Sequence, residues 1–138
     1  MARIKDRTTR PGGQIKVRDD QYPRDGLEQR PPVFSCEFLQ HGWCIQDCER
    51  DKRAKMLDRL RILGKLSWKQ IRQDDRHRYG TEIIQRSSIK SPIPSFVTPD
   101  TKLIAFRAYG LVAMVGYKSD RVFNVLWIDR ARKLYDHG

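Results

Sequence analysis

The sequence predicts an α+β fold in which a helical hairpin packs on one face of an antiparallel sheet. Apolar residues recur at helical spacing between residues 50 and 74, and three strand-like runs joined by tight turns follow residue 100. The order strand, helix, helix, strands is the order of elements that segregates helices to one side of a sheet.

The folded unit is expected to begin near Val33, as a single domain over residues 31–138. In "VFSCEFL", Phe34, Cys36 and Phe38 alternate with Ser35 and Glu37, the period of a strand with one buried face. A helix should follow. Asp47 can cap it, Glu49 and Asp51 suit the positive end of its dipole, and Gly64 is placed to end it. Its apolar stripe would be Met56, Leu57, Leu60 and Leu63. Ser67 and Gln70 have capping-box spacing, which starts a second, shorter helix from Trp68 to about Asp74 with Trp68 and Ile71 facing the core. "TEIIQRSSIK" reads as a weak strand, and the prolines of "SPIPSFVTP" mark a loop. "KLIAFRAY", "LVAMVGYK" and "RVFNVLWI" read as three strands with turns at Tyr109-Gly110 and Ser119-Asp120, an antiparallel meander.

Residues 1–30 read as a basic tail. They combine Gly, Pro and mixed charge with few large apolar residues, too few to offset the entropy of ordering. The chain of 138 residues has no apolar run long enough to span a bilayer, and its start lacks the apolar core of a secretory signal, so a cytoplasmic protein without a membrane partner is expected. The net charge of +11 points to a polyanionic partner such as nucleic acid, with an acidic protein or anionic lipid as the alternatives. Between Glu49 and Lys90 thirteen Lys or Arg face six Asp or Glu, which places the basic surface on the hairpin and the segment that follows it.

Three groups of residues could carry chemistry. Cys36, His41, Cys44 and Cys48 are soft ligands, but their C-x4-H-x2-C-x3-C spacing fits no zinc motif, and neither a metal nor a cofactor is expected. Hydrolase elbows, zinc-protease helices and phosphate-binding glycine loops do not occur, and the scattered carboxylates do not build a metal-dependent nuclease site. The third group is the chain end, "NVLWIDRARKLYDHG". RNA carries its own nucleophile, the 2′-hydroxyl, so cleavage needs only proton carriers and cations around the phosphorane. Tyr135 and His137 can move protons, and Arg107, Arg130 and Arg132 can hold a phosphate bidentately. Arg76, His77, Arg78, Arg86, Lys90 and Lys118 complete the expected RNA-binding set.

On "KLIAFRAYG", "VFNVLWIDRARKLY" and the helical hairpin, the chain resembles the RelE/ParE superfamily of bacterial toxins, which includes the HigB toxins. The resemblance implies a toxin of a toxin–antitoxin pair that cleaves messenger RNA without a metal, on the ribosome, with a cognate antitoxin as partner. It implies Arg107 as a phosphate-binding arginine, Arg130 as a transition-state arginine and Tyr135 as the late tyrosine of the site. Where RNA-cleaving members often carry an arginine after the turn, this chain reads Leu111-Val112-Ala113-Met114, and Lys90 and Lys118 are the residues expected to compensate. The superfamily's gyrase-directed branch, and a non-catalytic nucleic-acid-binding or partner-binding module, are the alternatives.

Overall fold

The computed structural model describes residues 24–137. Its elements are β1 (Val33–Ser35), α1 (Arg50–Leu63), α2 (Trp68–Gln73), β2 (Glu82–Ile84), β3 (Leu103–Tyr109), β4 (Val112–Ser119) and β5 (Val122–Ile128). They form an α+β fold around one five-stranded sheet of order β1-β5-β4-β3-β2. β1 runs parallel to β5, and every other neighbouring pair is antiparallel.

The helical face of the sheet is an aromatic core. Phe106 meets Phe123 at 4.9 Å and Phe34 at 5.6 Å, while Trp68 of α2 closes on Phe106 at 5.8 Å. Met56 and Leu63 of α1 and Ile71 of α2 seal it. Burying side chains of this size stabilises the fold by about 1.5–3 kcal/mol each. The capping box of α2 forms as its spacing predicts: Ser67 Oγ accepts from Gln70 N–H at 3.1 Å, and Gln70 Oε1 accepts from Ser67 N–H at 2.9 Å.

Several local expectations are corrected. The cap of α1 is Glu49, because the Asp47 carboxylate instead accepts the Cys44 N–H at 3.1 Å and closes a short 3-10 turn. Leu57 is 69% exposed, since α1 turns only Met56, Leu63 and the half-buried Leu60 toward the sheet. β1 ends at Ser35, so Cys36 lies outside the strand and is exposed, leaving Cys48 as the buried thiol. The folded part also starts before residue 31: Arg24–Gln29 is a 3-10 helix beside α2, and Trp68 N–H donates to Arg30 O at 3.0 Å. Residues 1–23 of the expected tail lie outside the described residues.

The second face of the sheet is covered by irregular chain. Phe38 and Trp43, then Ile89, Ile93 and Val97, and finally Leu134 and Tyr135 pack on Ala105, Ala113, Val115, Leu126 and Trp127. Two β-bulges make this possible. The β4–β5 register shifts between Val115 and Gly116, which turns both Leu126 and Trp127 onto this face. The β3–β4 register shifts between Arg107 and Tyr109, so that Ala108 and Tyr109 both join the helical-face core. Arg107, next to Phe106 and opposite Ala113, is thereby left on the second face, near the chain end.

Candidate active site

β5 stops at Ile128, and the chain turns back over the second face. Asp129 organises that turn. Its backbone N–H donates to Ala113 O at 2.9 Å and its carbonyl accepts from Arg132 N–H at 3.0 Å. Its carboxylate is completely buried. One oxygen accepts the Lys133 N–H at 2.7 Å, and the other lies 2.8 Å from His137 Nε2. Arg132 takes the left-handed region at φ 57°, a conformation costly for a residue with a Cβ and one that recurs at functional sites. Lys90 fastens the end, with its N–H donating to Leu134 O at 2.7 Å and its ammonium 2.7 Å from the Asp136 carboxylate.

Between this turn, β3 and the loop after α2 lies a cleft of about 240 Å³. Arg107 is its floor, Arg132, Tyr135 and His137 form one wall, and Arg76 and His77 form the other. Arg107 Nη2 lies 3.1 Å from His77 Nδ1. Guanidinium nitrogens only donate, so His77 Nδ1 accepts and its proton sits on Nε2. His137 is the complement: a carboxylate at Nε2 fixes the proton there and leaves Nδ1 with a free lone pair. The cleft thus contains one imidazole with an open acceptor nitrogen, His137 Nδ1, and one with an open N–H, His77 Nε2.

Tyr135 is 8% exposed, and its ring lies 4.1 Å from that of His137. Burial, with help from the Glu82 and Asp129 carboxylates, pushes its hydroxyl up to about 12 against the opposing charges of Arg107 and Arg132. At neutral pH it is therefore a protonated, packed support for His137 rather than a base.

The structure gathers Arg107, Arg132, Tyr135 and His137 with Arg76 and His77, and separates the rest of the expected set. Arg130 lies on the other side of the β3–β4 turn, in a cleft of about 380 Å³ that also contains Tyr109 and Lys52. The reason is local: the chain leaves β5 at Asp129, and consecutive residues diverge there. Arg78 stands over the Tyr79 ring at 5.6 Å, outside the cleft. Arg86 donates to Val97 O at 2.8 Å and Thr98 O at 3.0 Å and so pins the proline loop. Lys118 sits at the far end of β4, paired with Glu28 and 5.0 Å above the Trp68 ring. Lys90 and Lys118 do not line the cleft, so neither replaces an arginine at Leu111–Met114; Leu111 and Ala113 form bare wall there.

Two members of the site are missed by reading the sequence. Asp129 looks like the first residue of a frayed end, although its place directly after the apolar run of residues 125–128 is the signal that it is buried. Glu82 reads as part of a weak strand, yet it lines the cleft and holds Arg76 at 2.7 Å. Among the described residues no three His, Cys, Asp or Glu side chains group as metal ligands, and no helix is long and apolar enough to cross a membrane. No family model, curated protein or solved structure matches the chain.

Proposed function

We propose that the chain is a metal-independent endoribonuclease whose reaction takes place in the cleft between Arg107 and His137. The observation that carries this reading is the pair of oppositely arranged imidazoles across one cationic cleft, each fixed by a charged partner. Arg107 and Arg132 take the scissile phosphate and stabilise its developing charge. His137 Nδ1 accepts the proton of the 2′-hydroxyl as that oxygen attacks phosphorus, and Asp129 stabilises the imidazolium that forms. The P–O5′ bond breaks; the leaving oxygen is hydrogen-bonded by the His77 Nε2–H and takes its proton from water, and the His137 imidazolium returns its proton to water. The products are a 2′,3′-cyclic phosphate and a free 5′-hydroxyl. The attacking group belongs to the substrate, so the step balances without a further reactant.

The wider role, a toxin acting on ribosome-bound messenger RNA and restrained by a cognate antitoxin, rests on the resemblance of the strand and chain-end motifs. The test is cleavage of RNA, free and on translating ribosomes, with a chelator present. Cleavage of RNA, but not of the same strand with 2′-deoxy sugars, is expected. Cutting of both strands, or activity that the chelator abolishes, contradicts the mechanism. Binding without cleavage, weakening as surface Lys and Arg are removed, supports a binding module instead.

A further inference from the structure

Two clefts share one wall. Leu111, 58% exposed at the β3–β4 turn, lines both the Arg107 cleft and the neighbouring cleft that holds Arg130. Gly110 beside it has φ 51°, and the turn projects between the two hollows. A strand with its phosphate on Arg107 has to pass this apolar edge to continue, and a single strand does so by leaving one base on the far side.

The far cleft has the parts for a base. Leu111 and Val112 supply apolar wall, and Arg130, exposed and without a carboxylate partner among the described residues, supplies a guanidinium plane on which a base can stack. Glu49 supplies the edge contact. It is the cap residue of α1, yet its side chain makes no capping hydrogen bond and no ion pair among the described residues. Its neighbour Asp47 is already engaged by the Cys44 N–H. A free carboxylate accepts two parallel N–H bonds, and the base that offers an imino and an amino N–H side by side on its pairing edge is guanine.

We infer that this second cleft is a base-recognition subsite, in which Glu49 selects a guanine adjoining the phosphate held by Arg107. The inference rests on the cleavage reading for its phosphate, and it makes Glu49 a specificity-determining residue with no part in proton transfer. The carboxylate makes the pocket discriminating as well as attractive: it repels the acceptor-rich pairing edge of uracil and meets only one donor group on adenine or cytosine.

The test uses the full chain and four short single-stranded RNAs that differ only in whether one position is G, A, C or U, with all sugars 2′-deoxy at the scissile bond so that binding is read without cleavage. Wild-type protein should bind the G strand about tenfold more tightly than the others, and Glu49→Gln should erase that preference while the thermal midpoint stays in place. Arg130→Ala should weaken binding of all four strands. Equal affinity for the four strands, or a preference for G that survives Glu49→Gln, overturns the subsite. If affinity is equal but falls on Arg107→Ala, the subsite alone fails and the cleavage reading survives. Absence of measurable binding overturns both.

Discussion

The Arg107 cleft and the Lys118 end of the sheet are both rich in cations, and they differ in where the negative charge sits. At the Lys118 end a cleft of about 780 Å³ has Glu28 between Lys118 and Arg72, and the same lysine lies over the Trp68 ring. Burial pushes the Glu28 carboxyl up, but hydrogen bonds from Lys118 and Arg72 outweigh it and hold the carboxyl below its ordinary range. Those cations are spent on fastening the 3-10 helix at residues 24–29 to the sheet. In the Arg107 cleft the buried carboxylate of Asp129 is turned to His137 and Lys133, and Glu82 holds only Arg76. Arg107 and Arg132 keep no carboxylate partner among the described residues. Basic composition alone does not distinguish the two regions. The placement of three acidic side chains does.

That contrast can be broken most sharply at Asp129. Asp129→Asn retains an oxygen for the Lys133 N–H but presents an amide N–H to His137, which forces the proton onto Nδ1 and removes the base. Cleavage should fall about 10²-fold or more while the melting temperature changes little. Equal loss of both would make the pair structural.

The next effect is on alkaline stability. The folded protein favours the protonated Tyr135, whose hydroxyl lies at about 12 against an ordinary 10.0. Its stabilising contribution is therefore present below pH 10 and lost as pH rises from 10 toward 12. Tyr109, raised by burial and by its hydrogen bond to Cys48, adds a loss of the same sign. Chemical denaturation at stepped pH should show a decline above 10 that is smaller in Tyr135→Phe, and an unchanged decline would remove Tyr135 from the buried wall.

Smaller still is Arg132→Gly. Relief of the left-handed backbone should stabilise the fold by about 1 kcal/mol while cleavage weakens through the lost guanidinium. A variant that is less stable would show that the side chain fastens the turn. The least effect is expected at the Lys118 end, where Glu28→Gln breaks half-exposed ion pairs worth less than about 1 kcal/mol and should leave cleavage unchanged.

Much of the fold is legible in the sequence because its signals are local. The α2 capping box is written in Ser67 and Gln70, and the meander is written in three apolar runs and two turns. The bulges are not legible, because they depend on which face each strand must cover. Gly116 is an instance: a Cβ there would sit 1.9 Å from Asn124 O, a requirement that appears only when β4 and β5 are paired. The site is half legible for the same reason. Arg107 stands out as a charged residue within an apolar strand and His137 as an imidazole at the chain end, but the separation of Arg130 from Arg132 follows from the left-handed turn after Asp129, and the partnership of His77 with Arg107 spans thirty positions.

The most direct measurement compares His137→Ala with Lys118→Ala in one single-turnover cleavage assay on RNA with a chelator present. Both remove one side chain from the same basic protein, one inside the Arg107 cleft and one at the far end of β4. The expected result is a loss of about 10²- to 10⁴-fold for His137→Ala and a rate close to wild type for Lys118→Ala. Equal, modest losses in the two variants would contradict a dedicated proton carrier in the cleft and assign RNA contact to the basic surface as a whole.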